Sequence, residues 1–445
     1  MRNEMRMEKA SFYTVRELAE SDRIPDLYQV TKHLVFSSPA TLAYNSPGAE
    51  GYGVKRAGLS IPQSVMLIVS PGCCGRNTSQ ISSMPRYRDR FFYLQMDETD
   101  LITGRHLKKI PGAVAEIVDF LKEKPKLVMI CATCADALLG TDWERVCRKA
   151  EEESGVKVRP CYMYALTREG LRPPMVHVRQ SLYSLLEERG KDKTAVNLLG
   201  FFSPVSEDWE LFRYLKSALV QSIRQLSTCE SYDEFLRMAE ANFNIVLNQE
   251  CRPAADDLAA RLKIPYIELQ RFYEPDRIHR QYGAFSKAAD IVVEDEEDYH
   301  QARKALDTFT AANRDLHVSI GECVNADPFE LALTLASRGL SVDEIFAPVN
   351  ELSRWYLKKL SLISPDTRVF CSQSPSMLLY EEPEKEIDLA IGKDAAYYHP
   401  RAAHVFWNSD VQPFGYAAVR ALVREIAQAV GSTMKSAVEE ITVQA

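Results

Sequence analysis

Along the chain, short runs rich in Val, Ile, Leu and Phe alternate with longer runs whose apolar residues recur every three to four positions. The short runs are bounded by Gly, Pro, Ser or Asn, which predicts strands. They fall at 65–70, 91–95, 127–131, 157–159, 195–199, 245–248, 266–269, 316–320, 344–347, 368–371 and 387–391. The longer periodic runs predict helices over 107–122, 136–154, 175–189, 208–225, 253–262, 328–338, 350–360 and 415–430. Strand and helix in turn at this spacing predict an α/β chain of parallel sheets with helices on both faces. Eleven strands are too many for one such sheet, so the pattern divides into three α/β units. The joints fall near 190–193 and near the acidic run 294–298, which reads as a solvated helix start. The expected domains are 1–190 (a polar N-terminal arm plus the first unit), 191–293 and 294–445.

Charge narrows the function. The chain of 445 residues has 54 Lys plus Arg against 62 Asp plus Glu, a net charge of −8. That balance argues against a general nucleic-acid binder, whose footprint is a basic surface. No uncharged apolar run approaches the roughly 18 residues of a membrane span. Residues 1–10 mix Arg, Glu and Lys without an apolar stretch, so no secretory signal is expected and a cytoplasmic location is. In that compartment the ten cysteines are expected to be thiols or metal ligands rather than disulfides.

The cysteines cluster where a parallel α/β sheet binds its ligands, beyond the carboxyl ends of strands. Cys73 and Cys74 follow the 65–70 run in Ser-Pro-Gly-Cys-Cys-Gly. Cys131 and Cys134 close the 127–131 run in Cys-Ala-Thr-Cys, while Cys251 and Cys323 follow the 245–248 and 316–320 runs. Sulfur donors on short loops with backbone N–H groups nearby are what a thiolate-held metal centre needs. For any one of them taken alone, burial of a small apolar thiol is a sufficient account. The 131–134 pair also has the spacing of a redox dithiol, although Cys131 lies within the strand run. A zinc ribbon needs two close pairs, and a whole helix separates residues 74 and 134. No Gly-x-x-x-x-Gly-Lys-Ser/Thr occurs, so this chain is not expected to hydrolyse ATP through a P-loop.

Taken in order, several segments resemble the nitrogenase component 1 family over roughly residues 30–430. Ser70-Pro71-Gly72-Cys73-Cys74 resembles the loop that ligates the family's interface cluster. Thr103-Gly104-Arg105 resembles its Gly-containing turn before a helix, and Thr133-Cys134-Ala135-Asp136 with Leu139-Gly140-Thr141-Asp142 resembles a second ligand segment. Residues 195–200 resemble the strand that opens the family's second domain, and 387–392 its Asp-Leu-x-Ile-Gly strand. The segment from 245 to Cys251, with Ile264-Pro265-Tyr266 beyond it, resembles the one whose Cys holds the active-site cofactor.

The resemblance implies three Rossmann-like domains around a central cleft, a cluster shared with a homologous or identical second subunit, and electrons from a separate ATP-dependent iron–sulfur reductase. It assigns one of Cys73 and Cys74, plus Cys134, to the cluster, and Cys251 to a second metal–sulfur cofactor. Two departures matter. Ser46 stands where the family has its first cluster Cys, and Gln412 where it has its cofactor His; His399 and His404 lie nearby. Two thiolates per chain, taken from two chains, make the set for one [4Fe–4S] cluster. The resemblance therefore implies the catalytic component of a two-component reductase, with a non-catalytic scaffold for assembly of a metal–sulfur cofactor as the alternative. Glu250 and His279 are candidate proton donors, and Arg76, Arg86, Arg88 and Arg90 are candidates for an anionic substrate or a partner's acidic face.

Overall fold

A computed structural model describes residues 9–29, 40, 53–72, 81–133, 139–163 and 173–444. These fall into two compact units: residues 51–204 with 215–270, and residues 205–214 with 271–445 and the N-terminal segment.

The 51–270 unit holds two four-stranded parallel sheets. The first uses β2 (Ser64–Ser70), β3 (Phe91–Gln95), β4 (Leu127–Ala132) and β5 (Lys157–Tyr162), in the order β3-β2-β4-β5. Every residue of β2 and β4 is buried, as expected for central parallel strands covered on both faces. Helices α1 (His106–Phe120) and α2 (Trp143–Ser154) supply part of that cover, through Val114 and Ile117 and through Trp143, Val146 and Ala150. The second sheet uses β6 (Asp192–Leu199), β7 (Ser222–Gln225), β8 (Ala241–Val246) and β9 (Tyr266–Glu268), in the order β7-β6-β8-β9. One apolar core runs between the two sheets, from Met66, Ile68 and Met129 to Val246, Ala254 and Leu258, with Leu182 of α3 (Pro174–Tyr183) among them. The expected joint at 190–193 thus lies within a single compact unit.

The other unit holds one six-stranded sheet. Its strands are β10 (His317–Ile320), β11 (Ser341–Phe346), β12 (Arg368–Phe370), β13 (Leu389–Ile391) and β14 (Ala403–Val405), all parallel, with β1 (Phe12–Thr14) antiparallel on the edge. Their order is β1-β12-β11-β10-β13-β14. The chain runs outward from β10 to one side through β11 and β12, and to the other through β13 and β14, so the topological switch lies between β10 and β13. The N-terminal arm joins this sheet and not the first one: β1 pairs with β12, and the Tyr28 hydroxyl donates to the Val369 carbonyl at 2.8 Å.

The stretch expected as one helix over 208–225 is a short helix, Leu211–Ser217, followed by the edge strand β7. No described helix is long and apolar enough to cross a membrane.

Candidate metal centre

The strands that precede two of the cysteine segments are parallel neighbours. β2 and β4 pair in register, with Val69 opposite Ala132. Both strands end there. The Thr133 hydroxyl donates back to the Val69 carbonyl at 3.3 Å, locking the two ends together. The Ser70 carbonyl accepts from the Met96 N–H at 3.0 Å, and the Ala132 carbonyl accepts from the Met163 N–H at 2.9 Å. From these anchors the chain enters 73–80 and 134–138. Cys73, Cys74 and Cys134 lie outside the described residues, as do Ser46 and Arg76. Strands in a sheet run about 4.8 Å apart, so the loops leave from points one strand spacing apart. Among the described residues no group of three or more His, Cys, Asp and Glu side chains could hold a metal ion. The sequence that follows these strand ends carries thiols, whose chemistry suits iron–sulfur ligation.

Elsewhere in the same sheet unit, charged side chains are locked in place. Asp100, in the Gly-containing turn before α1, is buried and takes Arg105 Nε at 2.7 Å and Lys109 Nζ at 2.9 Å. Those two cations hold its carboxyl well below the usual range. Asp142 caps α2 by accepting the Arg145 N–H at 3.1 Å. Arg90 is a structural clamp: its guanidinium donates to the carbonyls of Ser64 at 2.8 Å and Leu59 at 2.9 Å, and burial draws it down to about 10. It is therefore spent inside the fold, while Arg86 and Arg88 are exposed.

Cys131 is not an exposed redox thiol. It sits in β4 directly opposite Cys161 of β5, and both are wholly buried. The interaction between the paired thiols holds Cys131 below the ordinary thiol value and, together with burial, lifts Cys161 well above it.

Cys251 stands where expected along the chain, after β8 and at the first turn of α4 (Arg252–Leu262). Its side chain points into the apolar core of the 51–270 unit and has no solvent exposure. Burial pushes the thiol up to about 12, although the nearby Arg179 guanidinium pulls the other way. Without a metal the Cys251 site is thus that of a core thiol, enclosed by apolar side chains. Gly200 lets the chain close over this point. At φ +128° a Cβ there would meet the Asn248 backbone nitrogen at 2.8 Å.

The proton-donor candidates are also engaged. Glu250 takes Arg179 Nη1 at 2.7 Å, and Arg179 donates Nε and Nη2 to the Gly200 carbonyl at 2.9 and 2.7 Å. His279 meets Asp295 Oδ2 at 3.0 Å. Around the expected cofactor histidine, buried Gln412 accepts from Arg271 Nη2 at 2.6 Å and donates to the Asp410 carbonyl at 2.9 Å. His399 pairs with buried Glu344 at 2.7 Å, and His404 with the His399 carbonyl at 2.8 Å.

One acidic group was missed. Glu322 follows β10 at the switch between β10 and β13, the crevice position of an open α/β sheet. Burial pushes its carboxyl up to about 7, while Ser372 Oγ donates to it at 2.7 Å. Asp394 fixes the loop by accepting the N–H groups of Glu322 and Cys323 at 2.8 and 3.0 Å. The signal was in the sequence: Gly321 before Glu322 and Gly392 before Asp394 both mark close backbone approach.

The comparisons with known proteins bear on the whole chain. The family model for nitrogenase component 1 type oxidoreductases matches residues 50–430. The chain is 29% identical over 219 residues to a nitrogenase iron-molybdenum cofactor biosynthesis protein, NifE, of Clostridium pasteurianum, covering 47% of this chain and 45% of that one. The NifE of Nostoc sp. is 26% identical over 231 residues, covering 49% and 47%. A nitrogenase molybdenum-iron protein alpha chain of Methanosarcina barkeri is 26% identical over 156 residues, covering 34% and 29%. The chain thus spans about half the length, or less, of these curated relatives. Among solved structures, nitrogenase Cp1 at pH 6.5 superposes with a TM-score of 0.65 over 93% of this chain and 94% of that one, at 15% identity. That likeness is one of fold.

Proposed function

This chain belongs to the nitrogenase component 1 type oxidoreductase family, and on that premise we propose that it is a scaffold subunit on which a complex metal–sulfur cofactor is assembled. The observation that supports this over catalysis is the state of the two residues at the family's cofactor positions. Cys251 is enclosed in the apolar core, where burial raises its thiol, and Gln412 is committed to Arg271 and to backbone. Neither offers an open donor to a permanently held cofactor. The similarity to NifE proteins points the same way, since those are named for cofactor biosynthesis.

In this reading one of Cys73 and Cys74, together with Cys134, holds a [4Fe–4S] cluster with the same pair from a homologous or identical second subunit. Such a cluster supplies one-electron redox chemistry at the seam. The chain's own part is positional: paired strand ends present the thiols from a stiff base, and Asp100 and Asp142 fix the flanking helices. Exposed Arg86 and Arg88 are then free to meet the acidic face of a partner. An ATP-dependent iron–sulfur reductase is the partner that the catalytic alternative requires.

Anaerobic purification with iron analysis and low-temperature EPR, followed by incubation with an iron–sulfur reductase, ATP and acetylene, tests the reading. The expected result is about two irons per chain and no sustained ATP-coupled electron consumption. Sustained turnover would hand the assignment to the catalytic alternative.

A further inference from the structure

A cavity of about 260 Å³ opens in the 271–445 part of the chain, among α5 (Pro275–Ala289), α6 (Pro328–Ala336) and α7 (Arg354–Leu360). No residue of the metal centre takes part in it. One wall is a preorganised aromatic and cationic stack. The Arg277 guanidinium lies 3.9 Å from the Phe272 ring centroid, 5.0 Å from that of Tyr356 and 5.2 Å from that of Trp355. Its Nη1 donates to the Tyr356 hydroxyl at 2.8 Å, which fixes the plane. Trp355 is the exposed member of the stack, 52% open to solvent, so part of an indole ring is accessible beside fixed positive charge.

The acids of the cavity are already satisfied. Glu274 Oε1 takes Arg338 Nη2 at 2.8 Å, and Asp276 accepts from the Tyr299 hydroxyl at 2.7 Å. Glu330 accepts the Tyr273 N–H at 3.0 Å and the Glu274 N–H at 3.2 Å, and burial pushes its carboxyl up to about 7, so at neutral pH it carries only part of its charge. Arg280 and Lys359, also on the cavity wall, have no ion-pair partner among the described residues. Subtracting the engaged groups leaves a partly exposed indole and two cations without an ion-pair partner among the described residues.

We propose that this cavity binds a small planar aromatic anion, its ring stacked on Trp355 and its carboxylate or phosphate held by Arg280 and Lys359. A ring without the charge, or the charge without a ring, engages half the site. The proposal does not depend on the scaffold reading, because the site needs neither iron nor a second subunit.

The test is tryptophan fluorescence of the full chain, titrated with adenosine monophosphate and with benzoate, and with adenosine and inorganic phosphate as half-ligands. The expected result is saturable quenching by at least one of the two aromatic anions, with each half-ligand weaker by about tenfold or more. Response to the nucleotide alone identifies a phosphate ligand, and response to benzoate a carboxylate one. Trp355→Phe should abolish the signal, and Arg280→Glu and Lys359→Glu should each weaken binding about tenfold. All three side chains are exposed, and unchanged far-UV circular dichroism confirms that the variants are folded. No saturable response to either anion, an undiminished response in Trp355→Phe, or adenosine binding as tightly as its monophosphate would overturn the proposal.

Discussion

At the scale of single residues, what separates a ligand from a core thiol is where the sulfur points. Cys251 follows a strand and opens a helix, and that position was legible in the sequence. The direction of its side chain was not, because it depends on core residues such as Leu182 and Tyr183 that are far away in the chain. Cys251 is expected to resist iodoacetamide in the native protein. Cys251→Ala should leave the iron content unchanged and cost roughly 1–2 kcal/mol in urea unfolding, the scale of a small buried truncation. Loss of iron in that variant would restore Cys251 as a ligand. Glu322 gives a pH signature. Its folded pKa, about 7, lies above its unfolded value, so the folded state binds the extra proton between about pH 4.5 and 7. The stability this contributes is full below pH 4.5 and is lost as pH rises through 7. Glu322→Gln should therefore flatten the fall in unfolding free energy from pH 5 to pH 8, by on the order of 1–3 kcal/mol. Parallel curves for the two proteins would show that the carboxyl is not perturbed.

At the scale of elements, the alternation of strand and helix was legible because central parallel strands are buried on both faces and read as continuous apolar runs. Some edge strands were not, although those at 91–95, 157–159 and 266–269 were. β7 (Ser-Ile-Arg-Gln) has one strongly apolar residue in four and follows an amphipathic helix, so the pattern ran on as helix. β1 is three residues long and finds its partner, β12, more than 350 residues later, a pairing no local pattern encodes. Tight crossings, by contrast, are written in glycine. Gly200→Ala would meet the Asn248 backbone in a conformation that disfavours a side chain. It should cost about 3 kcal/mol, from strain and overpacking together, measured by chemical denaturation. A loss under about 0.5 kcal/mol, within the range of ordinary surface substitutions, would mean that the β6 end relaxes freely.

At the scale of the whole molecule, the account rests on sulfur from two chains. The sequence placed Cys73, Cys74 and Cys134 after strands that prove to be paired neighbours, with Val69 opposite Ala132. Strand order is a property of the assembled sheet, so the chain's linear pattern could suggest the thiols but not that the strands before them are neighbours. Separate Cys73→Ala and Cys74→Ala variants should lose iron unequally, the larger loss marking the ligand. The most direct measurement is anaerobic native mass spectrometry of the purified protein beside its Cys134→Ala variant. The account predicts two chains carrying one four-iron, four-sulfide cluster, and a variant that keeps its fold while its iron falls to near zero. Iron retained in full by Cys134→Ala, or a complete cluster on a single chain, would contradict it.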